Sequence, residues 1–395
     1  MLKKILLIST LSCALLALTQ AQYKRNKNQA FQQHKNNFKI YKASQDEEFN
    51  SYIKSQNKIY NNYKKSLFAF WKQAKLSTKE TLVTYSKDKK TRTIIDFKNN
   101  KLTIQTISDS KIKAKQKLKV ELAKAVLIDT KTLQTIDPLA QKLDATKKPI
   151  GLITAQPKSE PILSTVIFNS KPTKKSLYNY VNNRVNKKNI TVKKSSKLSF
   201  KNVYTLNVTL PKDTMLKRSK IYYKDVKRES LKHNIPISLI FAIIHSESSF
   251  NPRARSYVPA FGLMQIVPKT AGIDAYFHLY HQKKLVTGSY LYNSTNNIRM
   301  GTAYLHILYY KYLKYIENPK SRLYCTIAAY NTGAGNVAWA FVKSHNLKNA
   351  AKKINKLSSS EVYRKLLKDL KYEEPKHYLQ KVSKRMDSYQ KVYGI

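Results

Sequence analysis

The sequence predicts an α+β segment over residues 44–211 followed by an all-α segment over about 218–395. Three observations carry this. Between residues 82 and 107 the runs LVTYSKD and TRTIIDFKNNKLTIQTI are rich in β-branched and aromatic residues. At 203–210, VYTLNVTL alternates, so Tyr204, Leu206, Val208 and Leu210 share one face. Beyond Pro211 the apolar spacing changes to that of helices.

Taken in order, residues 22–43 are polar and rich in Lys, Asn and Gln, the composition of a poorly ordered segment. Residues 45–75 read as helix, since Phe49, Tyr52, Ile53, Ile59 and Tyr60 lead to Leu67, Phe68 and Trp71 at helical intervals. Lys98-Asn99-Asn100-Lys101 reads as a hairpin turn between two strands. Residues 118–135 read as helix, STVIFN at 164–169 as strand, and the Lys- and Ser-rich stretch near 170–198 as loop. Pro211 ends the last strand, and Pro236 suits the first turn of a helix through ISLIFAIIHSES. NIRMGTAYLHILYYKYLKYI, RLYCTIAAYN and HYLQKVSKRMDSYQKVY read as further helices. Gly262, Gly272, Gly333 and Gly335 stand between them.

Composition bounds the function. Hydrophobic residues at 42% and charged residues at 25% are ordinary for a globular chain of 395 residues. The charge is not ordinary: 74 Lys and Arg against 23 Asp and Glu give +51, which favours polyanions or acidic surfaces. The basic residues are spread along the whole chain, and no RRM, zinc-finger or basic-zipper pattern is present, so a dedicated nucleic-acid surface has no support. Lys3-Lys4, the apolar run 5–18 and Thr19-Gln20-Ala21 form a secretory signal peptide over 1–21. Export to a periplasm follows. Cleavage after Ala21 leaves Cys325 without a partner; lipid attachment at Cys13 is the alternative, with Thr10-Leu11-Ser12-Cys13 a poor lipobox.

One helix carries a chemical signal. Leu239, Ile240, Ile243 and Ile244 form an apolar stripe, and Glu247 continues it at three- and four-residue spacing. A carboxylate there is costly to bury. It also lies in the last turn, where the negative end of the helix dipole disfavours ionisation. Both effects raise its pKa, as a general acid at neutral pH requires. A structural glutamate paired with one of the many lysines is the alternative on this helix alone.

The surroundings weigh toward chemistry. The chain reads Glu247-Ser248-Ser249-Phe250-Asn251-Pro252, then Ser256 and Phe261-Gly262-Leu263-Met264-Gln265, then Ala328-Ala329-Tyr330-Asn331-Thr332-Gly333. In order and spacing these blocks resemble the E-S-x-F-N-P, G-L-M-Q and A-Y-N-x-G blocks of the soluble-lytic-transglycosylase domain, over about 218–395. PAFGLMQIVPKTAG, YLYNSTNNIRMGTAYLHILYYKY and YCTIAAYNTGAGNV are similar to the murein transglycosylase C branch, as are, more loosely, FWKQA and RTIIDFKNNKLTI of the N-terminal segment. The resemblance implies a lysozyme-like α fold and non-hydrolytic cleavage of peptidoglycan at the β-1,4 bond between MurNAc and GlcNAc. The product is 1,6-anhydro-MurNAc, with Glu247 as acid and then base and no metal or cofactor. It implies that Ser256 bonds Glu247 or substrate and that Met264 and Gln265 line the cleft. It also implies that Tyr330 and Asn331 face the cleft and that Tyr378 approaches Glu247. A muramidase of the same fold and a non-catalytic peptidoglycan-binding protein remain as alternatives. Branch members are typically lipoproteins, which leaves an outer-membrane association open.

Other signals are weaker. His278 and His281 lack an H-E-x-x-H arrangement and read as a helix-surface pair. Cys325, in an apolar helix, reads as a buried inert thiol. No G-x-S-x-G or P-loop pattern occurs.

Overall fold

The computed structural model describes residues 25, 32, 47–211, 213–257 and 259–394. The signal peptide, Cys13 and most of the polar segment lie outside them. The described residues fall into two compact units. One holds residues 47–59, which are helical, and 146–150; the other holds residues 60–145 and 151–395. Among the described residues no helix is long and apolar enough to cross a membrane.

The larger unit begins with an antiparallel five-stranded sheet: β1 (Thr81–Tyr85), β2 (Thr91–Asp96), β3 (Lys101–Ser108), β4 (Ile190–Lys194) and β5 (Asn202–Thr209), in the order β1-β2-β3-β5-β4. The hairpin at Asp96–Lys101 forms as its sequence requires: Asp96 accepts from the Asn99 N–H and side chain, and Asn100 takes a φ of 51°. The register puts Leu102 opposite Val208 and Ile104 opposite Leu206, so alternate side chains of both strands enter one core. That face packs on helix α1 (Lys111–Leu127) through Leu118, Leu122 and Val126. The other face, through Val83, Tyr85 and Ile107, packs on Tyr63, Leu67 and Trp71. Helix on each face of an antiparallel sheet is the expected α+β arrangement.

Three expectations are corrected here. STVIFN is a short helix, Ser164–Phe168, not a strand; it buries Ser164 and Val166, and tertiary packing overrides its β-branched composition. The stretch near 170–198 is not loop throughout. It holds helix Lys174–Arg184, capped by Thr173, and edge strand β4, four of whose five residues are exposed. So solvated a helix and strand carry almost no apolar period, which hid them. The helix expected over 118–135 begins earlier, where Ser110 caps Lys113, and breaks at Asp129, which caps a second helix, Thr130–Ile136.

From Thr214 the chain is helical. The elements that matter for the site are α2 (Thr214–His233), α3 (Ile237–Ser248), α4 (Ser294–His306), α5 (Pro319–Thr332) and α6 (Glu373–Tyr393). Helix α3 is central: Leu239 to Ile244 are all at most 1% exposed and join the core with Ile298, Met300, Ile327, Leu379 and Val382. At roughly 25 cal/mol per Å², each such fully buried aliphatic contributes about 1.5–3 kcal/mol. Cys325 sits in this core, its thiol pushed up by burial. The sheet region and the helices join through Ile153, whose N–H donates to Leu285 O and whose carbonyl accepts from Thr287 N, both bonds near 3 Å.

Candidate active site

Helix α3 starts on Pro236 and runs through an apolar stretch that only burial satisfies. It stops after Ser248 because Ser249 and Phe250 both take positive φ, 52° and 65°. Two left-handed non-glycine residues in succession are costly. They are held by Phe250, 1% exposed and stacked on Tyr222 with 7° between ring planes. The turn leaves Glu247 in the last helical turn, half-buried.

Glu247 is pushed up from the ordinary 4.5 to about 7. Desolvation dominates. Tyr378 opposes it as a hydroxyl donor, Lys79 and Lys381 oppose it by charge, and the exposed Glu374 adds to the rise. No ion pair holds Glu247 among the described residues. The Tyr378 hydroxyl is buried and makes no hydrogen bond of full geometry. Burial and the Glu247 charge push the Tyr378 and Tyr330 phenols well up, so both stay protonated as donors. Glu247, Tyr330 and Tyr378 thus meet from α3, α5 and α6.

The segment between α3 and α4 closes around this group. Ser248 Oγ donates to Leu263 O at 2.8 Å, tying the end of α3 to the Gly262–Gln265 turn. Gly262 has a φ of 75°, and a Cβ there would collide with the Asn297 side chain and the Leu291 carbonyl. Gln265 also has positive φ, 48°, and its Nε2 donates to Gly262 O at 3.0 Å. Its Oε1 is buried without a partner among the described residues.

The remaining expected residues divide. Met264 does not line a cleft with its side chain. It is fully buried with its thioether against Gly301, and its carbonyl instead accepts from Tyr330 Oη at 2.8 Å. Ser256 accepts from Ala260 N at 3.1 Å and so closes a turn. Asn331 is half-buried beside Tyr330 on α5. Gly333 follows with φ 86°, ending α5 where a side chain would be strained.

Two positioning asparagines were not singled out from the sequence. Asn297, fully buried, accepts from Met264 N at 2.7 Å and donates to Phe261 O at 2.8 Å and Leu291 O at 2.9 Å. Asn251, fully buried in the motif after Glu247, donates to the carbonyls of Thr78, Lys79 and Thr81 at 3.3–3.4 Å. The signal for both was a polar residue inside an apolar or motif block, a pattern shared with many caps.

No group of three or more His, Cys, Asp or Glu among the described residues could hold a metal. His278 stacks on His306 at 4.8 Å, and His281 caps the C-terminus of the same helix, Ile273–Tyr280, with a φ of 56°.

Residues 225–353 match the family described as Transglycosylase SLT domain. The chain is 41% identical over 189 residues to the membrane-bound lytic murein transglycosylase C of Klebsiella pneumoniae, covering 48% of this chain and 52% of that protein. It is equally similar, over the same shares, to the Serratia proteamaculans protein of that name. The chain thus spans about half the length of these curated relatives. The 70 kDa soluble lytic transglycosylase of Escherichia coli is 25% identical over 46% of this chain and 26% of its own, with a TM-score of 0.35. Glu247, the Gly262–Gln265 turn and Tyr330 all lie within the residues that match the Transglycosylase SLT domain.

Proposed function

We propose that this chain is an exported lytic transglycosylase that cleaves peptidoglycan strands with Glu247 as its catalytic carboxyl. One observation carries the reading. Glu247 is a half-buried acid raised to about 7, with two protonated tyrosines beside it and no ion pair among the described residues. Such a group is protonated often enough to give a proton and ionised often enough to take one back.

In the proposed reaction Glu247 protonates the bridging oxygen of the β-1,4 bond between MurNAc and GlcNAc. The C1–O bond breaks, and the N-acetyl carbonyl of the same MurNAc ring stabilises C1. The ring's C6 hydroxyl then bonds to C1 and gives its proton to Glu247. No water is consumed, and the product is a 1,6-anhydro ring. Ordinary glycosidases need a second carboxylate as nucleophile or base. An intramolecular attack does not, because proximity supplies the effective concentration. Gln265 Oε1 and the Asn331 amide are proposed to bond substrate amide and hydroxyl groups. Tyr378 is proposed to steer the Glu247 carboxyl, and Ser256 to shape the adjoining turn.

The +51 charge suits an insoluble polymer whose stem peptides carry carboxylates. We propose that residues 1–21 are a signal peptide that exports the enzyme to the periplasm, and that the segment 44–211 is an accessory region to a catalytic segment 218–395. Glu247→Gln tests the reading. Clearance of purified sacculi should fall by at least about a thousandfold, the scale set by losing an acid–base group. A non-catalytic wall-binding protein would keep its function in that variant.

A further inference from the structure

The turn Thr78-Lys79-Glu80-Thr81 precedes β1, far in sequence from Glu247. It is tightly built: Thr78 N donates to Thr81 O at 2.9 Å, and Thr78 Oγ1 accepts from the N–H groups of Glu80 and Thr81. Asn251 then clamps three of its carbonyls from outside. Asn251 is four residues beyond Glu247, in the bend that ends α3. The clamp therefore sets the tip of the turn, Lys79, relative to the carboxyl.

Lys79 is half-buried and has no ion-pair partner among the described residues. Glu80, its neighbour, is already bridged to Lys98 at 3.3 Å. Lys381 and Arg385 project from successive turns of α6, and Arg385 donates to Ser246 Oγ at 3.0 Å. Lys381 is pulled down by desolvation first, then by Arg385, Lys79 and Lys98, with Glu80 opposing. With Glu80 bridged to Lys98, the cations Lys79, Lys381 and Arg385 face only Glu247, held largely protonated by burial, and the exposed Glu374, so a bound anion would offset their mutual repulsion.

We propose that Lys79 is a specificity residue of this site, holding with Lys381 a carboxylate carried by the sugar strand, and that Asn251 positions it there. The proposal rests on the reading of the chain as an enzyme acting on peptidoglycan. The carboxylate has two sources: the lactyl group of MurNAc where the peptide is absent, or the stem peptide where it is present. Either gives the same ammonium–carboxylate contact.

The test uses the full chain with Glu247→Gln, so that bound strands are not cut. Soluble strands are supplied with stem peptides, stripped of peptides, or with all carboxyls converted to neutral amides. Lys79→Ala should weaken binding about tenfold on a carboxylate-bearing strand, and the strand on which it does so identifies the source. On the amidated strands the two proteins should bind alike, and Lys79→Arg should retain most of the affinity. With Glu247 intact, Lys79→Ala should raise KM far more than it lowers kcat. Equal weakening on amidated strands, or no weakening on any strand, overturns the proposal. If the chain with Glu247 intact releases no fragments, the enzyme reading falls, while the binding comparison still judges Lys79.

Discussion

The Tyr330 hydroxyl donates to the Met264 carbonyl at 2.8 Å, joining the last turn of α5 to the turn that carries Gln265. The bond makes the A-Y-N and G-L-M-Q blocks one structural unit. Tyr330→Phe leaves a buried carbonyl unpaired. The expected cost is about 1–3 kcal/mol in chemical denaturation, with a fall in turnover beyond what the stability loss explains. An unchanged midpoint and unchanged turnover would show that the bond does not support the site.

Asn297 holds the same turn from the other side with three hydrogen bonds. Asn297→Leu keeps much of the volume and removes all three, leaving the Met264 N–H and the Leu291 carbonyl without these partners, while the Phe261 carbonyl keeps its bond from Ile266 N. A loss of about 3 kcal/mol or more is expected, read as a lower Tm.

Gly301→Ala would drive a methyl into the Met264 thioether, which lies within contact of the glycine. Overpacking of this kind costs about 1–3 kcal/mol. Pairing it with Met264→Ala should recover part of the loss, which a double-mutant cycle by thermal unfolding would measure.

The Glu247 carboxyl makes a pH-dependent contribution whose sign is fixed. Its folded value, about 7, lies above the unfolded 4.5. Between these values the unfolded chain releases the proton and the folded chain keeps it, so rising pH favours unfolding. Wild type should therefore lose stability relative to Glu247→Gln as pH rises from 4.5 to 7 and stay level above that. Because the group is only half-buried, about 2 kcal/mol is the expected span. Parallel stability curves for the two proteins would contradict the shift.

Tyr378 lowers the Glu247 value by donating toward it. Tyr378→Phe removes the donor and should move the alkaline limb of the activity profile to higher pH. A purely structural tyrosine would lower activity at every pH without moving the limb.

The sequence made the core of α3 legible because Leu239, Ile240, Ile243 and Ile244 repeat at helical spacing, and a carboxyl on that stripe is conspicuous. The alternation of Tyr204, Leu206 and Val208 likewise revealed β5. Helix Lys174–Arg184 stayed hidden because it buries Val181 alone, leaving no stripe to read. Met264 misled for a different reason: motif position says which turn a residue occupies but not whether its side chain or its carbonyl faces the site. The contacts of Asn251 with residues 78–81 span some 170 positions, and no local pattern announces a partner at that separation.

The most direct test of the central claim is the mass of the fragments released from purified sacculi. The account expects muropeptides one water lighter than the reducing-end forms, carrying the 1,6-anhydro ring, and none from Glu247→Gln. Reducing-end fragments as the main product, or anhydro fragments released undiminished by Glu247→Gln, would contradict it.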